Sequence, residues 1–328
     1  MRRSLALLTR RIMTGAELKY ADIGANMTDL QFQGIYHSHR KHDPDVDQVL
    51  ERARATGVSK MLVTGSNLEE SQTAINLCKS NPGLLYSTVG VHPCHATEFE
   101  SSNIGAEKYL TQLRALAIDN CGDKGPVRAF GEIGLDYDRL NFAPADVQRK
   151  YFEKQLQIAT EVNLPLFLHS RAAHKDFVDM LSPLVKEGKL PRGGVVHSFT
   201  GTVEEMKELV ELGFSIGING CSLKTQENLD VVKEIPLDKL MLETDGPWCE
   251  IRPSHASHQQ YLKGLPQEQL LPFPAVKKEK FQPGAMVRGR CEPCAIVLVA
   301  RVVAGVKGIS VEEVANAAWQ NSTKMFFN

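Results

Sequence analysis

The 328-residue sequence contains no apolar run near the ~18 residues that a membrane-spanning helix needs, so no membrane partner is expected. It also lacks a charge bias. Thirty-eight Lys and Arg stand against 39 Asp and Glu, a formal net charge of −1. Any polyanion it binds must therefore be held by a local patch rather than by the field of the whole molecule. No second close cysteine pair accompanies Cys291 and Cys294, so a zinc ribbon is not built. The seven cysteines are odd in number and scattered, and no secretory apolar core precedes them. Both features favour a reducing interior, cytoplasm or nucleus, over a disulfide framework. No Gly-rich loop follows the first apolar segment, which reads "DIGANMTDL". That weighs against a doubly wound nucleotide-binding sheet. Repeats and low-complexity tracts are missing too.

What is present is ordinary globular composition, 42% hydrophobic and 23% charged. A chain of this length buries about three quarters of its unfolded surface and needs no staple. Residues 1–18 differ from the rest. Arg2, Arg3, Arg10 and Arg11 alternate with Ser4 and leucines, and no acid precedes Glu17. This is the character of a mitochondrial transit peptide, and a mitochondrial form is one expectation. A polar tail, or a start at Met13, reads the same way.

Beyond this extension, short β-branched runs recur at 20–27, 60–65, 84–92, 127–135, 164–169, 194–199, 214–219 and 239–245. Several are apolar throughout, as strands buried on both faces of a parallel sheet must be. Between them lie amphipathic segments at 44–56, 67–80, 144–162, 202–212 and 225–234, and two more follow at 294–306 and 311–326. Eight strands alternating with helices predict an α/β fold, a (β/α)8 TIM barrel, as a single domain over 19–328. The stretch 249–293 has six prolines and no clear period. It reads as an irregular insertion over the catalytic mouth.

Ionisable residues recur where these strands end: Asp22, His92, Glu132, Asp136, His169, Arg171, His197, Glu243 and Asp245. The carboxyl ends of the strands are where barrel enzymes hold their sites. Imidazoles and carboxylates converging there form a divalent-metal set, because burying so many ionisable groups without a cation is costly. His37 and His39, with His42 nearby, lie in a polar, turn-rich stretch and read as a solvated loop. His255 and His258 sit in the irregular stretch with no fixed role.

Taken together, "DIGANMTD", "GVHPC", "GEIGLDYDR", "PLFLHSR", "VVHSFTG", "LETDGPWC" and "GRCEPC" resemble the TatD family of metal-dependent deoxyribonucleases, in the family's order from about residue 20 onward. The resemblance is to its eukaryotic TatD-like subgroup and implies an amidohydrolase-type barrel. It also implies a divalent cation, magnesium first with manganese or zinc as alternatives, in one or two copies. The substrate it implies is DNA, with RNA second. By position it makes Glu132 a bridging metal ligand and His169 and His197 imidazole ligands. Asp245 becomes a ligand or the base beside the attacking water, and His92 a phosphate contact. Asp22 is assigned to the metal as well, and Glu132 and Asp245 are the expected catalytic residues. Arg171, Arg288 and Arg290 are the expected phosphate clamps, since a guanidinium offers a bidentate fork.

Many relatives carry two histidines where this chain has Gly24 and Asn26. Their loss leaves an oxygen-rich shell that suits magnesium. A narrow mouth admits strand ends more easily than duplex interiors, so a monomeric exonuclease preferring single strands is expected. Two other readings remain at this point. One is a D-aminoacyl-tRNA deacylase, or another metal-dependent ester or amide hydrolase. The other is a barrel that has lost catalysis and only binds.

Overall fold

The computed structural model describes residues 18–328, so the Arg-rich start lies outside the described residues. Eight parallel strands follow one another around the sheet in chain order. They are β1 (Tyr20–Ala25), β2 (Val58–Val63), β3 (Leu85–Val89), β4 (Val127–Asp136), β5 (Leu166–Arg171), β6 (Gly194–Val196), β7 (Ser215–Ile218) and β8 (Leu240–Leu242). The sheet curls until its ends meet just beyond β1 and β8. The Asp245 amide donates to Gly24 O at 2.8 Å and the Asn26 amide to Gly246 O at 2.7 Å. All eight expected strands are present, most of them a few residues shorter, and the fold is the expected TIM barrel.

Helices alternate with the strands: α1 (Val46–Ala55), α2 (Leu68–Ser80), α3 (Ala106–Asp119), α4 (Ala145–Val162), α5 (His174–Lys186), α6 (Val203–Glu211) and α7 (Gln226–Glu234). Then α8 (Ile296–Lys307) and α9 (Val311–Ser322) close the chain. Local chemistry fixes their starts. Thr202 with Glu205 and Ser310 with Glu313 form reciprocal capping boxes at α6 and α9. Two helices, α3 and α5, were not anticipated. Pro183 inside α5 breaks the usual pattern there, yet buried Phe177, Val178 and Leu181 hold the helix to the barrel. Inside the cylinder, Ile23, Leu62, Ala129, Phe167, Val195 and Met241 pack together, with Phe326 from the C-terminus among them. The interior is therefore a filled core that leaves chemistry to the rim.

The stretch after β8 is built of turns, short helical segments such as His258–Leu262 and Lys278–Lys280, and one two-residue ribbon, Ala275–Val276 beside Met286–Val287. Its anchor overturns one expectation. Arg290 is no phosphate clamp: its side chain is fully buried. Its guanidinium donates to Asp45 Oδ1 and Oδ2 at 2.7 and 2.6 Å and to Glu292 Oε1 at 2.9 Å. Arg52 donates to Glu292 Oε2 at 2.7 Å and completes a buried set of two cations and two anions. Asp45 precedes α1 but gives that helix no side-chain cap, because its oxygens are committed to the arginines. Replacing Arg290 by Ala leaves two buried carboxylates to Arg52 alone. We expect a loss of about 3–5 kcal/mol of stability by chemical denaturation, against a negligible change for the exposed Arg288→Ala.

Candidate metal centre

Glu132 lies on β4, where extended backbone places residues two apart on one face, so Glu132, Gly134 and Asp136 share a side. Gly134 pairs with His169 of β5. Its φ of +149° is glycine-specific, and an added Cβ would lie 1.9 Å from His169 O. The two strands thus approach closely enough for Glu132 to reach the imidazoles. Its Oε1 meets His197 Nε2 at 2.6 Å, His169 Nδ1 at 2.9 Å and His92 Nε2 at 3.4 Å. Three nitrogens crowd one carboxylate oxygen that has two lone pairs.

Each ligand-type imidazole is fixed from behind by another carboxylate. His169 Nε2 meets Asp136 Oδ2 at 3.1 Å, leaving Nδ1 toward the centre. His197 Nδ1 faces Glu243 Oε2 at 3.4 Å, leaving Nε2 toward the centre, and its ring stacks on Phe167 with centroids 4.5 Å apart. Such outer carboxylates set the tautomer of metal-ligating histidines. Asp136 and Glu243 stand at strand ends in the sequence, but their position alone assigns neither a role. The period-two spacing of "GEIGLD" was the available signal for Asp136; Glu243 had none beyond its place at the end of β8.

The charge states follow from this geometry. Burial by itself would raise the Glu132 carboxyl, but the facing His197 and His92 and hydrogen bonds from His169 and His197 hold it well below the usual value. Burial would lower His197, yet Glu132 and Glu243 drive it well above 6.5. His169 is raised against the same burial by Asp136 and Glu132. His92 behaves differently, because burial outweighs Glu132 and pushes it down to about 3. Its Nδ1 accepts from the Cys94 amide at 3.0 Å, so the neutral ring carries its proton on Nε2. His92 is therefore a hydrogen-bond donor at the centre.

Asp245 follows β8 with φ +52°. Asn26 Nδ2 donates to its Oδ1 at 2.9 Å and the Cys249 thiol to its Oδ2 at 3.3 Å. Burial lifts its pKa to about 6, with His197 opposing and Glu243 and Glu132 reinforcing. It stands within electrostatic reach of the centre but makes no direct contact with the imidazoles among the described residues. Asp22 departs from the expected ligand role. Its oxygens accept from the Thr244 amide and hydroxyl at 2.9 and 2.6 Å and from the Gly24 amide at 3.3 Å. Both are spent on tying β1 to the end of β8. Burial, partly offset by those Thr244 bonds, raises Asp22 to about 7.

Arg171 is half-buried at the end of β5, and Arg288 is exposed on the ribbon after β8. His37 and His39 are exposed, as read. His42 is buried in a stack on Phe281, and His255 accepts from the Arg252 amide. Cys291 and Cys294 are core residues whose thiols burial raises well above 9.

The donor set suits a divalent cation. Glu132 Oε1, His169 Nδ1 and His197 Nε2 converge within 3.4 Å of one another. Three carboxylates, those of Glu132, Asp136 and Glu243, face two imidazoles whose proton affinity they raise, a set in which a divalent cation would take the place of protons.

Gly24 is the tightest point of this arrangement. A Cβ there would lie 2.5 Å from Glu243 Oε2 and 3.3 Å from Phe167 Cζ. Glu243 cannot swing away, since its other oxygen is held by the Ser198 amide and Asn219 Nδ2. Gly24→Ala is therefore expected to lower stability by about 1–3 kcal/mol, read by thermal or chemical unfolding.

Comparison with known proteins identifies the family of the chain. A family model described as TatD related DNase matches residues 22–327. The Deoxyribonuclease Tat-D of Schizosaccharomyces pombe is 54% identical over 309 residues, covering 94% of this chain and 96% of that protein. A 3'-5' ssDNA/RNA exonuclease TatD from Pantoea vagans is 35% identical over 310 residues, covering 93% and 98%. The crystal structure of an uncharacterized amidohydrolase from Saccharomyces cerevisiae superposes with a TM-score of 0.85 at 38% identity, covering 94% of this chain and all of that one. By sequence and by fold, the chain belongs to the TatD-related DNase family.

Proposed function

We propose that the protein is a divalent-metal-dependent nuclease that hydrolyses phosphodiesters of DNA, and of RNA second, working as a monomeric exonuclease on single strands. The observation that carries this reading is the convergence of His92, His169 and His197 on one oxygen of Glu132 at the rim of the barrel. Membership of the family, and relatives named as deoxyribonuclease or 3'-5' ssDNA/RNA exonuclease, support the substrate class.

Glu132, His169, His197 and Asp245 are the residues that would hold the cation. Asp22 is withdrawn from that set by its bonds to Thr244. Magnesium suits the carboxylate share of the set, with manganese and zinc also accepted by imidazole. When bound, the ion supplies neutralisation of the phosphate and acidification of a water from 15.7 towards roughly 7.

The chain's own groups do the rest. Asp245 would hold the cation or, as the base beside it, accept the proton of the attacking water. Asn26 and Cys249 occupy one lone pair on each of its oxygens and aim the free ones. His92 stays neutral and offers Nε2–H to a non-bridging phosphate oxygen. Asp136 and Glu243 hold the two ligand rings in one orientation, so no reorganisation accompanies the reaction. Arg171 at the end of β5 is placed to take a neighbouring phosphate.

Three outcomes are expected. Asp245→Asn lowers kcat on labelled single-stranded DNA by about 10²–10⁴-fold with an unchanged circular dichroism spectrum. Wild-type turnover in that variant would overturn the assignment, and release of amino acid from charged D-aminoacyl-tRNA at a greater rate would redirect it. Asp136→Asn weakens Mn2+ binding by about 10–100-fold in a titration of pure protein. Because His169 and His197 are raised and hold protons, Mn2+ affinity falls as pH is lowered from neutrality, and calorimetry in buffers of different ionisation enthalpy shows protons released on binding.

A further inference from the structure

Three residues beyond Asp245, the Trp248 amide donates back to Asp245 O at 2.9 Å, so the indole rides on the same turn as that carboxylate. The turn is braced by the Cys291 amide, which donates to Pro247 O at 2.9 Å. Trp248 is nevertheless 53% exposed, and Leu30 is 59% exposed. The two line one open cleft of about 510 Å³, which Lys277, Lys278 and Arg288 also line. These three cations form no ion pair among the described residues. Arg288 Nε is fixed to Ala275 O at 3.0 Å, and Lys278 Nζ sits 4.8 Å above the Tyr36 ring. Two acids also line the cleft: Glu279, and Asp29, whose Oδ1 is occupied by the Gln31 amide. The cleft thus has a cationic excess in a chain whose net charge is −1.

An exposed indole sharing one cleft with unpaired cations is the pairing that single-stranded nucleic acid requires. The π-face accepts any unstacked base while the cations follow the backbone. A base inside a duplex already has both faces covered and cannot use the indole. We propose that this cleft is a base-stacking subsite: Trp248 stacks a base of the nucleotides flanking the scissile phosphate, and Lys277, Lys278 and Arg288 take the adjoining phosphates. The inference rests on the nuclease reading and adds to it the origin of single-strand preference.

Trp248 and Trp319 are the chain's two tryptophans, so Trp319→Phe leaves Trp248 as the sole indole. In that background, with EDTA present to prevent digestion, oligo(dT) is titrated against an abasic strand of equal length. Quenching of Trp248 by oligo(dT), and at least about tenfold weaker quenching by the abasic strand, is expected. In the active enzyme, Trp248→Ala lowers the ratio of kcat/KM on the oligonucleotide to that on bis(p-nitrophenyl) phosphate by about 10–100-fold, and Trp248→Phe restores most of it. Equal quenching by both strands, or an unchanged ratio, overturns the subsite; so does an equal fall on both substrates, which would mean that the indole merely props Asp245. Failure of the nuclease reading looks different: the wild-type protein would cleave neither substrate, while the quenching comparison would still report on the cleft.

Discussion

The buried Glu132 carboxylate, faced by three imidazoles, is the constraint from which the rest of this architecture follows. A carboxylate at that depth is unfavourable unless compensated, and the barrel compensates it from three different strand ends. Compensation alone does not explain the outer ring. Asp136 and Glu243 stand behind the imidazoles and bring more negative charge than the imidazoles can neutralise. That surplus is uneconomical for a purely structural core and natural for a centre that receives a cation. The glycine at 134 serves the same end, since a side chain there would drive β4 away from β5 and Glu132 away from His169.

Much of this was legible in the sequence because a parallel barrel writes its plan in two simple signals. Apolar runs mark strands buried on both faces, and polar residues just beyond them mark the catalytic rim. Those signals located all eight strands and brought Glu132, His92, His169 and His197 together. They were silent on direction. Asp22 and Glu132 both sit on apolar strands, yet Asp22 turns its oxygens to Thr244 while Glu132 turns to the imidazoles. Strand-end position says only that a carboxylate is near the rim; which neighbour has already claimed its lone pairs depends on contacts more than 200 residues apart in the chain.

The same limit explains the arginines. Arg288 and Arg290 are two residues apart, a spacing that in a continuous strand places both on one face. Gly289 intervenes with φ +80°, and the Arg290 amide donates back to Val287 O, closing a turn. The turn sends one guanidinium to solvent and the other into a pocket holding Asp45 and Glu292. No charge pattern distinguishes them; a left-handed glycine does. The buried arginine consequently secures the chain beneath the rim, and the exposed one is left to line it.

Gly24 and Asn26 are best understood through the space and bonds that surround them. The first strand ends between Gly24 and Asn26, and neither position is idle. The absent Cβ at Gly24 is the volume into which Glu243 extends, and from there Glu243 faces His197. The Asn26 amide, which cannot titrate, donates to Asp245 and fixes the direction of the one carboxylate free to take a proton. A histidine at 24 would therefore evict Glu243 and loosen His197, and one at 26 would exchange a fixed donor for a ring whose protonation varies with pH. The two positions are coupled through the centre: Gly24 leaves room for the carboxylate behind His197, and Asn26 orients Asp245.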